Sequence, residues 1–145
     1  MDTGRRAQVI FWRTNLMKKT LLAISLLMSL CSAAHAEWVK VFENIRGTFF
    51  YMDPATVENH GRLRRVWEMQ TYRNASPEGM LSMKLHKEYD CMDEKGRFTS
   101  YVAYTGPRLT GEMMGTVNTP SDWQSVNRNP AGKGVFRIVC ADYKK

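Results

Sequence analysis

Hydrophobic and polar residues alternate along much of the chain after residue 37, most clearly over residues 82–91. Met83, Leu85, Tyr89 and Cys91 fall on one side, and Ser82, Lys84, His86, Glu88 and Asp90 on the other. A period of two with one apolar side predicts a strand with one face on a core and the other in water. Residues 62–72 alternate too, with Leu63, Trp67 and Met69 opposite Arg64, Glu68 and Gln70. Arg65 interrupts the apolar side and Val66 the polar one. Aromatic and β-branched runs predict further strands over residues 38–42, 48–52, 56–58 and 97–105. A short strand near Thr116-Val117 sits within a glycine-rich loop over residues 109–120. Asp53-Pro54, Asn59-His60-Gly61, residues 74–79 and Gly106-Pro107 punctuate these runs, because Pro lacks a ladder N–H and Asn and Gly accept turn geometry.

The last apolar run, residues 135–140, reads differently. Val135, Phe136, Val139 and Cys140 fit one helical face, and Asn129-Pro130 supplies a helix entry. The run is short, so a strand stays open there. The whole predicts an α+β domain, an antiparallel meander with a C-terminal helix on one face of the sheet.

Before the domain stand a cationic Met17-Lys18-Lys19, an apolar run over residues 20–30, and Ala34-His35-Ala36. That order predicts an export signal over residues 17–36, cleaved between Ala36 and Glu37. Its apolar run is shorter than the roughly 20 residues that span a bilayer, so no integral membrane segment is expected after cleavage. Residues 1–16 read as an upstream extension, with translation starting at Met17, or alternatively as a long n-region. Leu30 before Cys31 is a poor lipidation context, so Cys31 is expected to leave with the signal. The exported domain is then residues 37–145.

Export changes the charge. The leader holds five of the 21 basic residues and one of the 14 acidic ones, leaving 16 against 13 and a net +3 in place of +7. Most of the basicity that hints at nucleic acid is lost, and no nucleic-acid partner is expected. Two cysteines remain, Cys91 and Cys140. An even count in an oxidising compartment predicts a disulfide, which would pin the helix to the sheet.

Candidate chemistry is sparse. No G-x-S-x-G, H-E-x-x-H or phosphate-cradling glycine loop occurs, so no enzyme is expected. His60 and His86 lack metal-ligand spacing, and neither metal nor cofactor is expected. His86 lies between Lys84 and Glu88, where acid–base work is conceivable, but it reads as part of a solvated strand face. A hydrolase would need a pocket joining it to Asp or Ser side chains from other strands. Arg62-Leu63-Arg64-Arg65 is the densest basic cluster. Arg62 and Arg64 would share a strand face and are candidate contacts for polyanionic glycans. Met113-Met114 reads as an apolar loop tip. A periplasmic binding or chaperone-like module is the alternative, favoured if Tyr51, Tyr72 and Tyr104 line an exposed groove. A homodimer stays open.

Glu88-Tyr89-Asp90-Cys91, Phe50-Tyr51-Met52-Asp53, Val66-Trp67-Glu68-Met69, Trp123 and Cys140 together carry a resemblance. In order and spacing, over about residues 38–140, the chain resembles the surface-adhesin protein E family. The resemblance implies an antiparallel sheet, a C-terminal helix and a disulfide joining them. It also implies a non-enzymatic role in the periplasm or at the outer surface, with adhesion to host matrix proteins such as vitronectin and laminin, and plasminogen capture. For plasminogen, Lys144 and Lys145 offer a lysine handle at the chain end. No ligand-contacting position of the family carries over to a residue here.

Overall fold

The computed structural model describes residues 37–143. The expected leader, with Ala36 and Cys31, lies outside them, as do Lys144 and Lys145.

Among the described residues eight strands form one antiparallel sheet: β1 (Val39–Glu43), β2 (Phe49–Met52), β3 (Glu58–His60), β4 (Leu63–Thr71), β5 (Ser82–Asp90), β6 (Lys95–Tyr104), β7 (Met113–Val117) and β8 (Gln124–Ser125). The order is β1-β2-β4-β5-β6-β7. β3 pairs with the first residues of β4 and β2 with its last ones, while β8 and β7 divide β6 in the same way. One helix, α1 (Pro130–Val139), follows.

Local chemistry explains the breaks. Asp53 accepts from the Ala55 N–H and caps a single 3-10 turn that begins at Pro54. Gly61 takes φ +69° in the β3–β4 hairpin, a conformation glycine adopts without steric cost. The third strand therefore runs to His60, two residues beyond the expected 56–58. Met113-Met114, expected at a loop tip, begin β7.

The helix starts five residues before the apolar run that signalled it. Asn129 Oδ1 accepts from the Ala131 and Gly132 N–H groups, and Pro130 fills the first turn, where its missing N–H costs nothing. Gly132 and Gly134 obscure this start, since each glycine weakens a helix by about 1 kcal/mol relative to Ala. Gly134 has a packing reason: a Cβ there would lie 2.8 Å from Val41 Cγ1 on β1. Val135 and Val139 bury against Met52, Val66, Tyr89 and Val126, with Val41, Phe136 and Cys140 at the margin. Cys140 caps the helix and is bonded to Cys91, just past the end of β5, with a Cα–Cα distance of 5.6 Å.

The register places Arg64, Val66 and Glu68 of β4 beside Tyr89, Lys87 and Leu85 of β5, on the helix side. Leu63, Trp67 and Met69 face the other way, beside Asp90, His86 and Lys84. The apolar sets of neighbouring strands thus lie on opposite faces, and each face buries part of its surface. The polar side of β5 is consequently not solvated throughout: Ser82, Glu88 and Asp90 are buried. On this far face, residues 106–109 are tied down by hydrogen bonds from the Leu109 N–H to Ser82 Oγ and from Ser82 Oγ–H to the Gly106 carbonyl.

Candidate functional site

The far face of the sheet gathers cations and aromatic rings from six segments. Lys84 Nζ lies 4.3 Å from the Trp67 ring centroid, and His86 stacks on the same ring at 4.6 Å. The Arg97 guanidinium sits 4.4 Å over Trp123, and that of Arg108 5.0 Å over Tyr51. The three distances from lysine or arginine to a ring are within cation–π range. Strand register creates the central cluster, setting Arg65 opposite Glu88 and Glu88 opposite Arg97. Glu88 is 1% exposed and accepts from Arg65 Nε at 2.9 Å and from Arg97 Nε and Nη2 at 2.9 and 2.7 Å.

Burial alone would raise the Glu88 carboxyl. Hydrogen bonds from Arg97 and Arg65, with their charges, outweigh that and hold it below the usual carboxylate range. A depressed carboxylate contributes stability above its unfolded pKa and loses it as pH falls through the folded value. His86 is lowered too, first by burial, so protonating it also opposes folding at acid pH. The buried Glu68, raised by burial, acts in the opposite direction. Glu88→Gln should therefore flatten the acid limb of the stability–pH curve while lowering stability at pH 7. Urea midpoints from pH 3 to pH 7 test this; an unchanged acid limb would remove Glu88 from the account.

Arg62 and Arg64 are not brought together. Arg62 lies in the hairpin turn, where strand alternation does not apply, and its half-exposed side chain meets Asp90 Oδ2 at 3.1 Å on the far face. Arg64 is 4% exposed on the helix side. It donates to Asn59 Oδ1 and to the Gly61 and Leu63 carbonyls, and approaches Asp142 and the Tyr143 ring. Arg65, expected to face away from Arg62, is on the far face as well, paired with Glu88 as Arg62 is with Asp90. His86 Nδ1 is 2.8 Å from Thr99 Oγ1. Of the three tyrosines proposed for a groove, Tyr72 lines the one on the helix side, while Tyr51 and Tyr104 lie on the far face. Among the described residues, no group of three or more His, Cys, Asp or Glu could hold a metal ion, and no helix is long and apolar enough to cross a membrane. Sequence reading passed over Trp67, Lys84, Arg97 and Trp123 as contacts. Each sits in a plausible strand or loop, but only register shows which cation lies on which ring.

The groove lies on the helix side. It has a volume of about 580 Å³, with Met83, Leu85 and Phe98 among its strand residues and Arg128 and Asn129 on the segment leading into α1.

Comparisons with known proteins bear on this architecture. The family model described as surface-adhesin protein E matches residues 38–141. No curated protein sequence matches. Among solved structures, crystal form II of Haemophilus influenzae protein E superposes with a TM-score of 0.56 at 13% identity, covering 77% of this chain and 93% of that one. The selenomethionine form of Haemophilus influenzae protein E gives 0.57 at 12% identity, covering 76% and 90%. At such identities the likeness is one of fold. The family match spans every strand, the disulfide and the helix, and the chain belongs to the surface-adhesin protein E family.

Proposed function

We propose that the exported domain is a surface adhesin that binds host matrix proteins or plasminogen through the far face of its sheet. The family match over residues 38–141 is the observation that carries the adhesin reading. The stacked cations supply a surface suited to it. Arg65 and Arg97 are held in place by one buried carboxylate, and Lys84, Arg97 and Arg108 lie on aromatic rings. Pre-aligned side chains lose less entropy on binding. Arg62 belongs to this surface, and Lys144 and Lys145 remain the proposed plasminogen handle. Export by a signal over residues 17–36, with cleavage after Ala36, is part of the same proposal.

Two measurements test the reading. Protease shaving of intact cells, against an outer-membrane-permeabilised control, should cut the protein before permeabilisation. Cutting only afterwards would place it in the periplasm and end the adhesin reading. Purified protein should bind immobilised vitronectin, laminin or plasminogen, and Arg62→Glu with Lys84→Glu should weaken binding about tenfold or more, with the loss concentrated in the association rate. Undiminished binding would move the contact elsewhere.

A second reading is binding of polyanionic glycans. It is favoured by charge: among the described residues of this face, Lys40, Arg62, Arg65, Lys84, Lys95, Arg97 and Arg108 outnumber Glu43, Glu58, Glu88 and Asp90. Retention on immobilised heparin beyond that of the double variant would support it.

A further inference from the structure

The helix is too short for the sheet it covers. Ten residues of α1 span about 15 Å at 1.5 Å per residue. Nine residues of β5 span about 30 Å. The helix packs over the Tyr89 end, with Val135 and Val139 on Met52 and Val66. Beyond it the same sheet face continues as Leu85 and Met83, with Phe98 alongside and Tyr72 at the far end. This uncovered stretch is the floor of the groove.

Its charge has one sign. The charged residues that line it are Lys87, Arg97 and Arg128. The Arg97 guanidinium is committed to Glu88 and Trp123 on the opposite face, so Lys87 and Arg128 set the charge of the groove. Lys87 lies on the sheet between the apolar floor and the helix, its Nζ 5.7 Å from the Tyr89 ring. Arg128 is exposed on the wall that leads into α1. Among the described residues no carboxylate lines the groove; the nearby Glu68 is 4% exposed, feels the charge of Lys87 from beneath the surface and accepts the Tyr89 hydroxyl hydrogen bond. At about 580 Å³ the groove is in the size range of small-molecule sites, and it sets an apolar floor of Met83, Leu85 and Phe98 beside polar walls that include Gln70, Gln124 and Ser125.

We infer that the groove is a binding site for a free single-chain amphipathic anion of the fatty-acid class, its chain lying on Met83, Leu85 and Phe98 and its carboxylate between Lys87 and Arg128. Charge complementarity selects this occupant over a neutral or cationic one. The inference uses the face opposite the proposed adhesive surface and does not rest on the adhesin reading.

Calorimetric titration of the exported protein tests it, with dodecanoate and dodecyltrimethylammonium as probes, each below its micelle-forming concentration. Dodecanoate should bind saturably at one per chain, at least tenfold more tightly than the ammonium compound. Lys87→Gln with Arg128→Gln should weaken dodecanoate about tenfold or more with the thermal midpoint kept, and Lys84→Gln, on the other face, should leave it unchanged. Equal binding of the two probes, unsaturable binding, or indifference to the double variant would overturn the site. So would a sedimentation dimer that Met83→Lys splits, since a second copy would then be the occupant.

Discussion

A Cys91→Ser, Cys140→Ser double variant should unfold with about 4 kcal/mol less stability than the oxidised protein. The bond closes a sequence separation of 49 residues, and restricting a loop of that size in the unfolded chain is worth about this much. Small domains have only about 5–15 kcal/mol in total, so the variant sits near the edge of folding. The native geometry amplifies the effect. The helix has ten residues, too few to be stable alone in water. It is held by Val135 and Val139 in the core and by the covalent link at its C-terminal end. Urea denaturation of the oxidised, reduced and double-variant proteins measures the difference. The reduced protein should match the variant. A loss below about 1 kcal/mol would show that helix packing alone holds the domain together.

Arg64→Ala should cost about 3 kcal/mol, the scale for breaking a buried, hydrogen-bonded charge. Its guanidinium ties the β3–β4 hairpin, through Asn59 and two turn carbonyls, to the residues after α1, through Asp142 and Tyr143. Removing it leaves those carbonyls without their donor and unfastens the chain end beyond the disulfide. Arg62→Ala gives the contrast. That side chain is half exposed, and its buried partner Asp90 keeps the Met92 and Asp93 N–H groups as donors when Arg62 is removed, so the loss should stay at about 1 kcal/mol. Thermal or urea unfolding of the two variants separates them: Arg64 should act on stability and Arg62 chiefly on binding. A neutral Arg64→Ala would mean that the buried guanidinium contributes nothing net.

The two arginines, two positions apart in one basic run, show where sequence reasoning stops. Alternation places residues on faces only inside a strand, and Arg62 is in the turn. Nor does alternation say what covers each face. In β5 the polar side was legible as a side, but residues 106–109, far along the chain, decided that Ser82 is buried, while guanidinium groups from β4 and β6 decided it for Glu88. The helix was legible from Val135, Phe136 and Val139. Its first turn was hidden by two glycines whose justification, at Gly134, is the closeness of Val41 on another strand.

By itself the sequence determined the antiparallel meander and the two cysteines that join its parts, and it favoured the terminal helix over a strand. Those follow from period, turn chemistry and cysteine count, which are local or countable. The tertiary structure alone decided that both sheet faces are partly buried, that Arg65, Glu88 and Arg97 form one cluster, and that an apolar strip outruns the helix. Each of these depends on strand register or on the relative length of packed elements. Both are set by contacts between residues distant in the chain, and no local pattern encodes them.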